Sequence, residues 1–138
     1  MLDSYSEHHW GETGCPLSPT LFGIYFDKLE PFLRDSFLHV DGCYLHQVLI
    51  SILLFIDDVI LLASSLESLQ RLLDGLASFC CLHHLSVNLS KTQVMVFNYL
   101  KTSHLHFYFQ GHKIEITKSY MYLGVKFSRP CFSLRPAI

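Results

Sequence analysis

The sequence has few charged residues and no surplus of positive charge. Only 16% of its 138 residues are charged, whereas about 25% is usual in a globular domain. Ten basic residues stand against 12 acidic ones, for a net charge of -2. A protein that binds nucleic acid on its own usually carries a basic face, and the overall composition does not predict one. Half of the residues are hydrophobic, which suits a compact core or the interior of a larger fold.

The cysteines do not form a regular framework. Their number is odd and two of them are adjacent: Cys15, Cys43, Cys80, Cys81 and Cys131. The first ten residues lack the pattern of a signal peptide, so we expect reduced thiols in an intracellular protein without a membrane anchor. The sequence also has no internal repeat and no low-complexity segment, which excludes a repeat architecture.

Two adjacent carboxylates, Asp57 and Asp58, interrupt a strongly apolar run over residues 51–63. A transmembrane helix would need about 20 apolar residues, and an Asp at the bilayer centre costs roughly 2.5–3.5 kcal/mol. A tight turn with both carboxylates in water is a simpler alternative. A third interpretation is a β-hairpin that presents the pair to a divalent cation such as Mg²⁺, which prefers carboxylate and phosphate oxygens. The β-type runs on both sides favour a hairpin.

The remaining elements follow from periodicity and end signals. Ser18 and Pro19 begin a helix that Pro31 should kink or end near Glu30. Ser64 to Glu67 resembles a capping box for a second helix ending near Leu82. The spacing of its apolar residues predicts one buried stripe on that helix: Leu66, Leu69, Leu72, Leu73, Leu76, Phe79 and Cys80. We expect short strands at residues 43–45, 86–88, 93–98, 105–110, 113–117 and 122–127. The order predicts an α+β fold, an antiparallel sheet with helices packed on one face. The predicted boundaries are an irregular segment 1–13, a domain 14–128 and an irregular tail 129–138.

Four segments resemble, in order, the motifs of reverse transcriptases of the non-LTR retrotransposon and group II intron type. Residues 14–22 resemble the substrate-pocket motif, and residues 55–58 resemble the aromatic-x-Asp-Asp catalytic hairpin. Residues 79–80 and 85–92 are similar to the helix, strand and Asn-x-x-Lys-Thr stretch that follow. Residues 122–125 resemble the Tyr-Leu-Gly segment near the primer grip. The ordered set covers residues 14–127 and is far more specific than an isolated Asp pair.

The resemblance implies a partial polymerase palm that extends a DNA primer on an RNA template by nucleotidyl transfer from a dNTP. It implies catalysis with two Mg²⁺ ions. Asp57 would be the principal catalytic and metal-binding residue of the hairpin, and Asp58 would support it. The implied setting is nuclear or cytoplasmic, with no membrane and no obvious protein partner.

The same resemblance assigns roles outside the hairpin. Gly14 and Pro16 would shape the backbone that approaches the incoming nucleotide, and an ordinary turn explains them equally simply. Lys91 would approach the leaving phosphates, although a lysine in a solvated turn is as good an account. Three residues would help to hold the primer end as a primer-grip-like segment: Tyr122, Leu123 and Gly124.

The sequence departs from the family pattern at three positions and in its extent. Thr13 stands where Gln is common, Glu12 where a basic residue is common, and Ile56 where Ala is common. The family's third catalytic Asp lies well before Gly14, and we expect this chain to begin too late to contain it or the fingers, and to lack the thumb. We therefore expect a truncated fragment that is inactive alone. The alternative function is a non-catalytic, palm-derived interaction module or retroelement remnant.

The nine histidines and paired cysteines also raise the possibility of a zinc site. Cys80, Cys81, His83 and His84 are close together in sequence. Structural zinc sites usually have separated ligand pairs, so we expect Cys80 in the core and the two histidines at an exposed helix end.

Overall fold

The computed structural model describes residues 2–3, 23–36, 42–99 and 102–129. Within them are helices α1 (Leu29–Ser36) and α2 (Leu66–Leu82). The strands, in chain order, are β1 (Leu2–Asp3), β2 (Cys43–Leu45), β3 (Val48–Ile50), β4 (Ile52–Phe55), β5 (Asp58–Leu61), β6 (Ser86–Val87), β7 (Gln93–Val94), β8 (Phe107–Phe109), β9 (His112–Ile116), β10 (Ser119–Tyr122) and β11 (Val125–Ser128).

The described strands pair in small sheets. Two-stranded sheets join β1 to β6, β2 to β3, β4 to β5 and β10 to β11, and a three-stranded sheet has the order β7-β9-β8. Every pair is antiparallel except β7 with β9. The combination of helices with mainly antiparallel strands confirms the predicted α+β class.

Pro31 breaks the first predicted helix earlier than we expected. Residues 23–26 are helical, and the Asp27 N–H donates to the Gly23 carbonyl at 2.9 Å. Residues 27 and 28 form a turn, and the helix resumes as α1, which passes through Pro31. A proline ring clashes with the carbonyl four residues before it, here that of Asp27, so the break lies there and not near Glu30. In the first turn of α1 the missing N–H of Pro31 costs nothing.

The start of α2 is capped one residue later than predicted. Ser65 has extended backbone angles, and its hydroxyl oxygen accepts a hydrogen bond from the Ser68 N–H at 3.1 Å. The third helical residue is therefore Ser68 and not Glu67, so the N-cap is Ser65 and not Ser64 as the sequence suggested. The predicted end of the helix at Leu82 is confirmed.

The core forms where α1 and α2 meet the sheet of β7, β8 and β9. The predicted buried stripe of α2 is confirmed, because Leu72, Leu73, Leu76, Phe79 and Cys80 are buried and Leu66 and Leu69 pack against the core. Phe79 is fully buried, with ring centroids 5.9 Å from Phe26 and 5.5 Å from Phe32. Burial of aromatic side chains of this size dominates the stability of a small core.

A side chain of α2 closes the outer edge of β8. The Gln70 amide group donates to the Tyr108 carbonyl at 2.8 Å, and its oxygen accepts from the Tyr108 N–H at 3.0 Å. These are the two backbone groups that a further strand would otherwise bind. Gln70 thus takes the place of a neighbouring strand and ties α2 to the sheet.

The segment from Ser119 to Ser128 is a hairpin, whereas the sequence suggested one strand over residues 122–127. β10 pairs with β11 through the two-residue turn Leu123-Gly124, with φ values of 49° and 77°. Positive φ at both central positions is the pattern of a type I′ turn, whose twist matches that of the flanking strands. Gly124 adopts this geometry without strain, and the chain therefore reverses where we expected a continuous strand.

The apolar run at the centre of the sequence is also made of hairpins. The predicted strand at residues 43–45 is confirmed as β2. It pairs with β3, a strand that the sequence analysis did not predict. Within the described residues, no helix is long and apolar enough to cross a membrane. The transmembrane interpretation of residues 51–63 is wrong, because β4 and β5 occupy them.

Candidate functional site

The two carboxylates lie at the tip of the β4–β5 hairpin. The register pairs Phe55 with Asp58, so that Ile56 and Asp57 are the two turn residues. The sequence placed both Asp residues in the turn, whereas Asp58 is already the first residue of β5. Both carboxylate side chains are half-buried. A turn this short holds the two groups next to each other on a short, hydrogen-bonded ladder.

Ile56 adopts a backbone conformation that is unusual for its type. Its φ of 53° lies in the left-handed region, which glycine tolerates and a β-branched residue rarely adopts. Its side chain is 55% exposed, so packing of this side chain does not explain the conformation. Strained residues of this kind occur where the surrounding structure holds a functional turn in place. The strain in the hairpin lies immediately before the two carboxylates.

The core fixes one face of this hairpin and leaves Asp58 on the other. Val59 and Leu61 of β5, with Ile52 of β4, pack against the core. Since side chains alternate along a strand, Asp58 and Ile60 lie on the opposite face. The contacts of Val59 and Leu61 with the core therefore orient the Asp58 carboxylate on the opposite face and leave it half-buried.

Tyr122 lies beside this face. Partial burial raises the pKa of the Tyr122 phenol above its ordinary value of 10.0, and the charges of Asp58 and Tyr120 raise it further. A nearby negative charge disfavours the phenolate, so Asp58 is near enough to Tyr122 for its charge to act on the phenol. Leu123 and Gly124 form the turn that follows Tyr122.

Lys91 lies in a hydrogen-bonded turn that begins at Asn88. The Asn88 carbonyl accepts from the Lys91 N–H at 3.2 Å and from the Thr92 N–H at 3.1 Å, and the Asn88 side chain accepts from the Ser90 N–H at 3.1 Å. This asparagine-initiated turn explains why the Asn-x-x-Lys-Thr pattern folds locally. The Lys91 side chain is exposed. Gly14 and Pro16 lie outside the described residues.

Among the described residues, the candidate site for a cation consists of two carboxylates, those of Asp57 and Asp58. They contain no group of three or more His, Cys, Asp or Glu side chains that could hold a metal ion. Asp57 and Asp58 supply hard oxygen donors, which fit Mg²⁺ when substrate phosphates and water complete its octahedron. They do not by themselves complete a set for two ions. Burial raises the pKa of the Cys80 thiol to about 11, which disfavours the thiolate that zinc needs.

The sequence identified Tyr122 but not its position beside Asp58. No local pattern links two residues in different hairpins, and the signal lay only in the resemblance. The sequence analysis also did not identify Phe127, which lies opposite Tyr120 in the β10–β11 pair. The alternation of apolar Val125 and Phe127 with polar residues after Leu123-Gly124 was the available sign of a hairpin.

A comparison with protein families identifies the class of the molecule. Residues 9–127 match the family described as reverse transcriptase (RNA-dependent DNA polymerase). The chain therefore belongs to the reverse transcriptase family. A search of solved structures found none that matches. Members of this family generally use divalent metal ions and bind a nucleic acid template and primer.

Proposed function

We propose that the chain supplies part of the palm of an RNA-directed DNA polymerase of the non-LTR retrotransposon or group II intron type. The observation that carries the proposal is the pair Asp57 and Asp58 on a strained two-residue hairpin beside Tyr122. The family match covers this hairpin and the segment around Tyr122. Paired carboxylates on a short hairpin suit the binding of a cation together with a triphosphate.

Asp57 would be the principal ligand of Mg²⁺ and Asp58 a supporting one. When bound, Mg²⁺ supplies positive charge that offsets the charge of the triphosphate and of the attacking 3′-oxygen. The protein's own part is to orient the carboxylates through the buried contacts of Val59 and Leu61. A preorganised site costs little reorganisation during the reaction.

Further roles are proposed for residues that lie away from the hairpin. Gly14 and Pro16 would shape the backbone next to the incoming nucleotide. The exposed Lys91 would approach the leaving phosphates once substrate is bound. Tyr122, with Leu123 and Gly124, would hold the primer end, and its position beside Asp58 supports this role.

We also propose that this chain alone does not polymerise DNA. A two-ion site generally needs a carboxylate that bridges both ions, and the described residues provide only the Asp57–Asp58 pair. The direct test is primer extension with the purified chain, an RNA template, a DNA primer, dNTPs and Mg²⁺. We expect no incorporation of nucleotides. Incorporation by the parent chain that is lost in Asp57→Asn would contradict the proposal that the chain alone is inactive.

A second experiment tests the site without requiring turnover. The affinity for an RNA–DNA template–primer with a matching dNTP should rise when Mg²⁺ is added. The rise should disappear in Asp57→Asn and persist in Asp35→Asn, which changes an exposed carboxylate on α1. An equal rise in the parent chain and in Asp57→Asn would contradict the proposed metal site.

The alternative is a palm-derived interaction module without catalysis. Exposed apolar side chains on the β2–β3 hairpin favour it, because Tyr44, Leu45 and Val48 are 73%, 62% and 63% exposed. Large exposed apolar patches often mark contact surfaces. This alternative predicts that Mg²⁺ has no effect on template–primer binding, so the same titration separates the two functions.

A further inference from the structure

The β2–β3 hairpin, called here the apolar arm, is exposed on both of its faces. The register pairs Tyr44 with Leu49 and Leu45 with Val48, and directly opposed residues share a face. Tyr44 and Leu49 are 73% and 45% exposed, and Leu45 and Val48 on the other face are 62% and 63% exposed. None of the six strand residues packs against the core of the described residues. The arm therefore projects from the core and does not cover it.

The arm lacks the features that usually protect an isolated hairpin in water. Residues 42–56 contain no Asp, Glu, Lys, Arg or Pro, whereas charges, prolines and bulges are what normally block the edges of a sheet. Among the described strands, β2 pairs only with β3 and β3 only with β2, so each strand keeps one free edge. Two strands alone are marginally stable at best, and a third strand at one of these edges would stabilise the arm.

The β2 edge is the more open of the two. All three residues of β2 are exposed. Along β3, exposure falls from Val48 through Leu49 to the half-buried Ile50, and Ser51 alone separates this strand from β4. A further strand therefore has more room beside β2.

The backbone of Tyr44 is the group that this edge presents. The arm turns through two residues, His46 and Gln47, and His46 has a φ of 58°. In a hairpin of this kind the pair that closes the turn, here Leu45 with Val48, exchanges hydrogen bonds within the hairpin. Because hydrogen-bonded and non-hydrogen-bonded pairs alternate, the N–H and C=O groups of Tyr44 point away from β3. Those of its partner Leu49 point outward at the opposite edge.

We propose that two copies of the chain associate through the β2 edges of their apolar arms. The two β2 strands run antiparallel around a two-fold axis between the two Tyr44 residues, and each Tyr44 N–H donates to the Tyr44 carbonyl of the second copy. In this register Cys43 lies opposite Leu45 of the second copy. The result is a closed, four-stranded antiparallel sheet with the strand order β3-β2-β2-β3.

A second copy fits the chemistry of the arm. A two-fold contact brings a short strand against its own residues, so a charged strand would meet like charges, and this strand has none. Four apolar side chains per copy, at about 100 Å² each, together with the newly paired backbone bury about 1,000 Å² in total. This area is at the low end for a specific interface, so the dimer is weak and reversible.

The first test is sedimentation velocity of the full chain in EDTA, at concentrations from about 1 to 100 µM. We expect a shift from monomer to dimer as the concentration rises. Tyr44→Pro should raise the dissociation constant about tenfold or more, because proline removes the outward N–H of β2 without removing a bond inside the arm. Leu49→Pro is the matched control, since it removes an apolar side chain from the same face and an outward N–H from the β3 edge. It should leave the dimer in place.

The second test is a cross-link that keeps every backbone donor. Opposed residues in a non-hydrogen-bonded antiparallel pair have Cα atoms about 4.5 Å apart, which a disulfide spans. Under mild oxidation, Leu45→Cys should therefore form covalent dimers through Cys43 of the second copy, and adding Cys43→Ser should abolish them. Val48→Cys is the control, because Val48 is as exposed as Leu45 and lies on β3. Non-reducing electrophoresis measures the dimer.

The inference goes beyond the proposed function, because the dimer requires neither Mg²⁺ nor nucleic acid. The proposal is wrong if the parent chain stays monomeric, if it forms open-ended polymers, or if Leu49→Pro weakens association as much as Tyr44→Pro. Equal cross-linking of Leu45→Cys and Val48→Cys would also overturn it, and this result does not depend on the folding of Tyr44→Pro. Failure of the metal site would appear in the Mg²⁺ titration of template–primer binding, which is a separate result.

Discussion

Burial and, after it, the carboxylate of Asp58 raise the pKa of the Tyr122 phenol. The two residues belong to different hairpins and lie far apart in sequence, so the fold brings the β10–β11 hairpin near the turn that carries Asp57 and Asp58. A residue proposed to hold the primer end is thus within range of the charge of a residue proposed to hold Mg²⁺.

The first prediction concerns this pair. Asp58→Asn should lower the pKa of Tyr122, because removing a nearby negative charge stabilises the phenolate. Ultraviolet titration of tyrosinate measures the shift, and the same titration in Tyr122→Phe identifies the contribution of this tyrosine. Asp57→Asn is the control, since its charge is not a cause of the shift. An unchanged titration curve in Asp58→Asn would show that the two groups are not adjacent.

The same shift predicts how stability responds to alkaline pH. The pKa of Tyr122 is raised in the folded chain above the ordinary 10.0, so the unfolded chain loses this proton first as pH rises. Stability from this group is therefore complete below pH 10 and is lost as pH rises through the folded pKa. Urea denaturation at a series of alkaline pH values should show a smaller loss in Tyr122→Phe than in the parent chain.

The strained turn at Ile56 predicts a substitution that raises stability, whereas most substitutions lower it. Ile56→Gly should stabilise the chain by up to about 1 kcal/mol, because glycine adopts a positive φ without strain. Gly124→Ala, where φ is 77°, should destabilise it by about 1 kcal/mol or more. Chemical denaturation measures both. A loss of stability in Ile56→Gly would show that the conformation of Ile56 carries no strain.

The edge contact of Gln70 predicts a local effect on stability. Gln70→Ala removes both hydrogen bonds to the Tyr108 backbone and should cost about 1–2 kcal/mol. Ser78→Ala is the control, because it removes only an exposed hydrogen bond to the Asp74 carbonyl on the same helix. Equal midpoints of urea unfolding for the two variants would contradict the role given to Gln70.

The cap of α2 gives a similarly direct test. Ser65→Ala should cost about 1 kcal/mol, and Ser65→Asp should keep most of the stability because an aspartate accepts the same Ser68 N–H bond. Helical circular dichroism during thermal unfolding measures the difference. If Ser65→Asp lost as much stability as Ser65→Ala, the hydroxyl of Ser65 would not be the cap.

Local signals in the sequence predicted much of this structure. Uniform apolar runs around two carboxylates predicted the hairpin, and leucine spacing predicted the buried face of α2. The break before α1 was displaced because the clash of Pro31 acts four residues upstream. The Leu123-Gly124 reversal was missed because leucine at positive φ is not a turn signal. The charge effect of Asp58 on Tyr122 depends on the tertiary structure, and no spacing along the chain predicts it.

The central claim is that Asp57 and Asp58 hold a divalent cation beside Tyr122. The most direct measurement is an NMR titration with Mn²⁺, which broadens the signals of nuclei near its binding site. We predict broadening centred on the amides of Asp57 and Asp58 that extends to Tyr122, is lost in Asp57→Asn and persists in Asp35→Asn. Broadening centred elsewhere, or unchanged by Asp57→Asn, would contradict the claim.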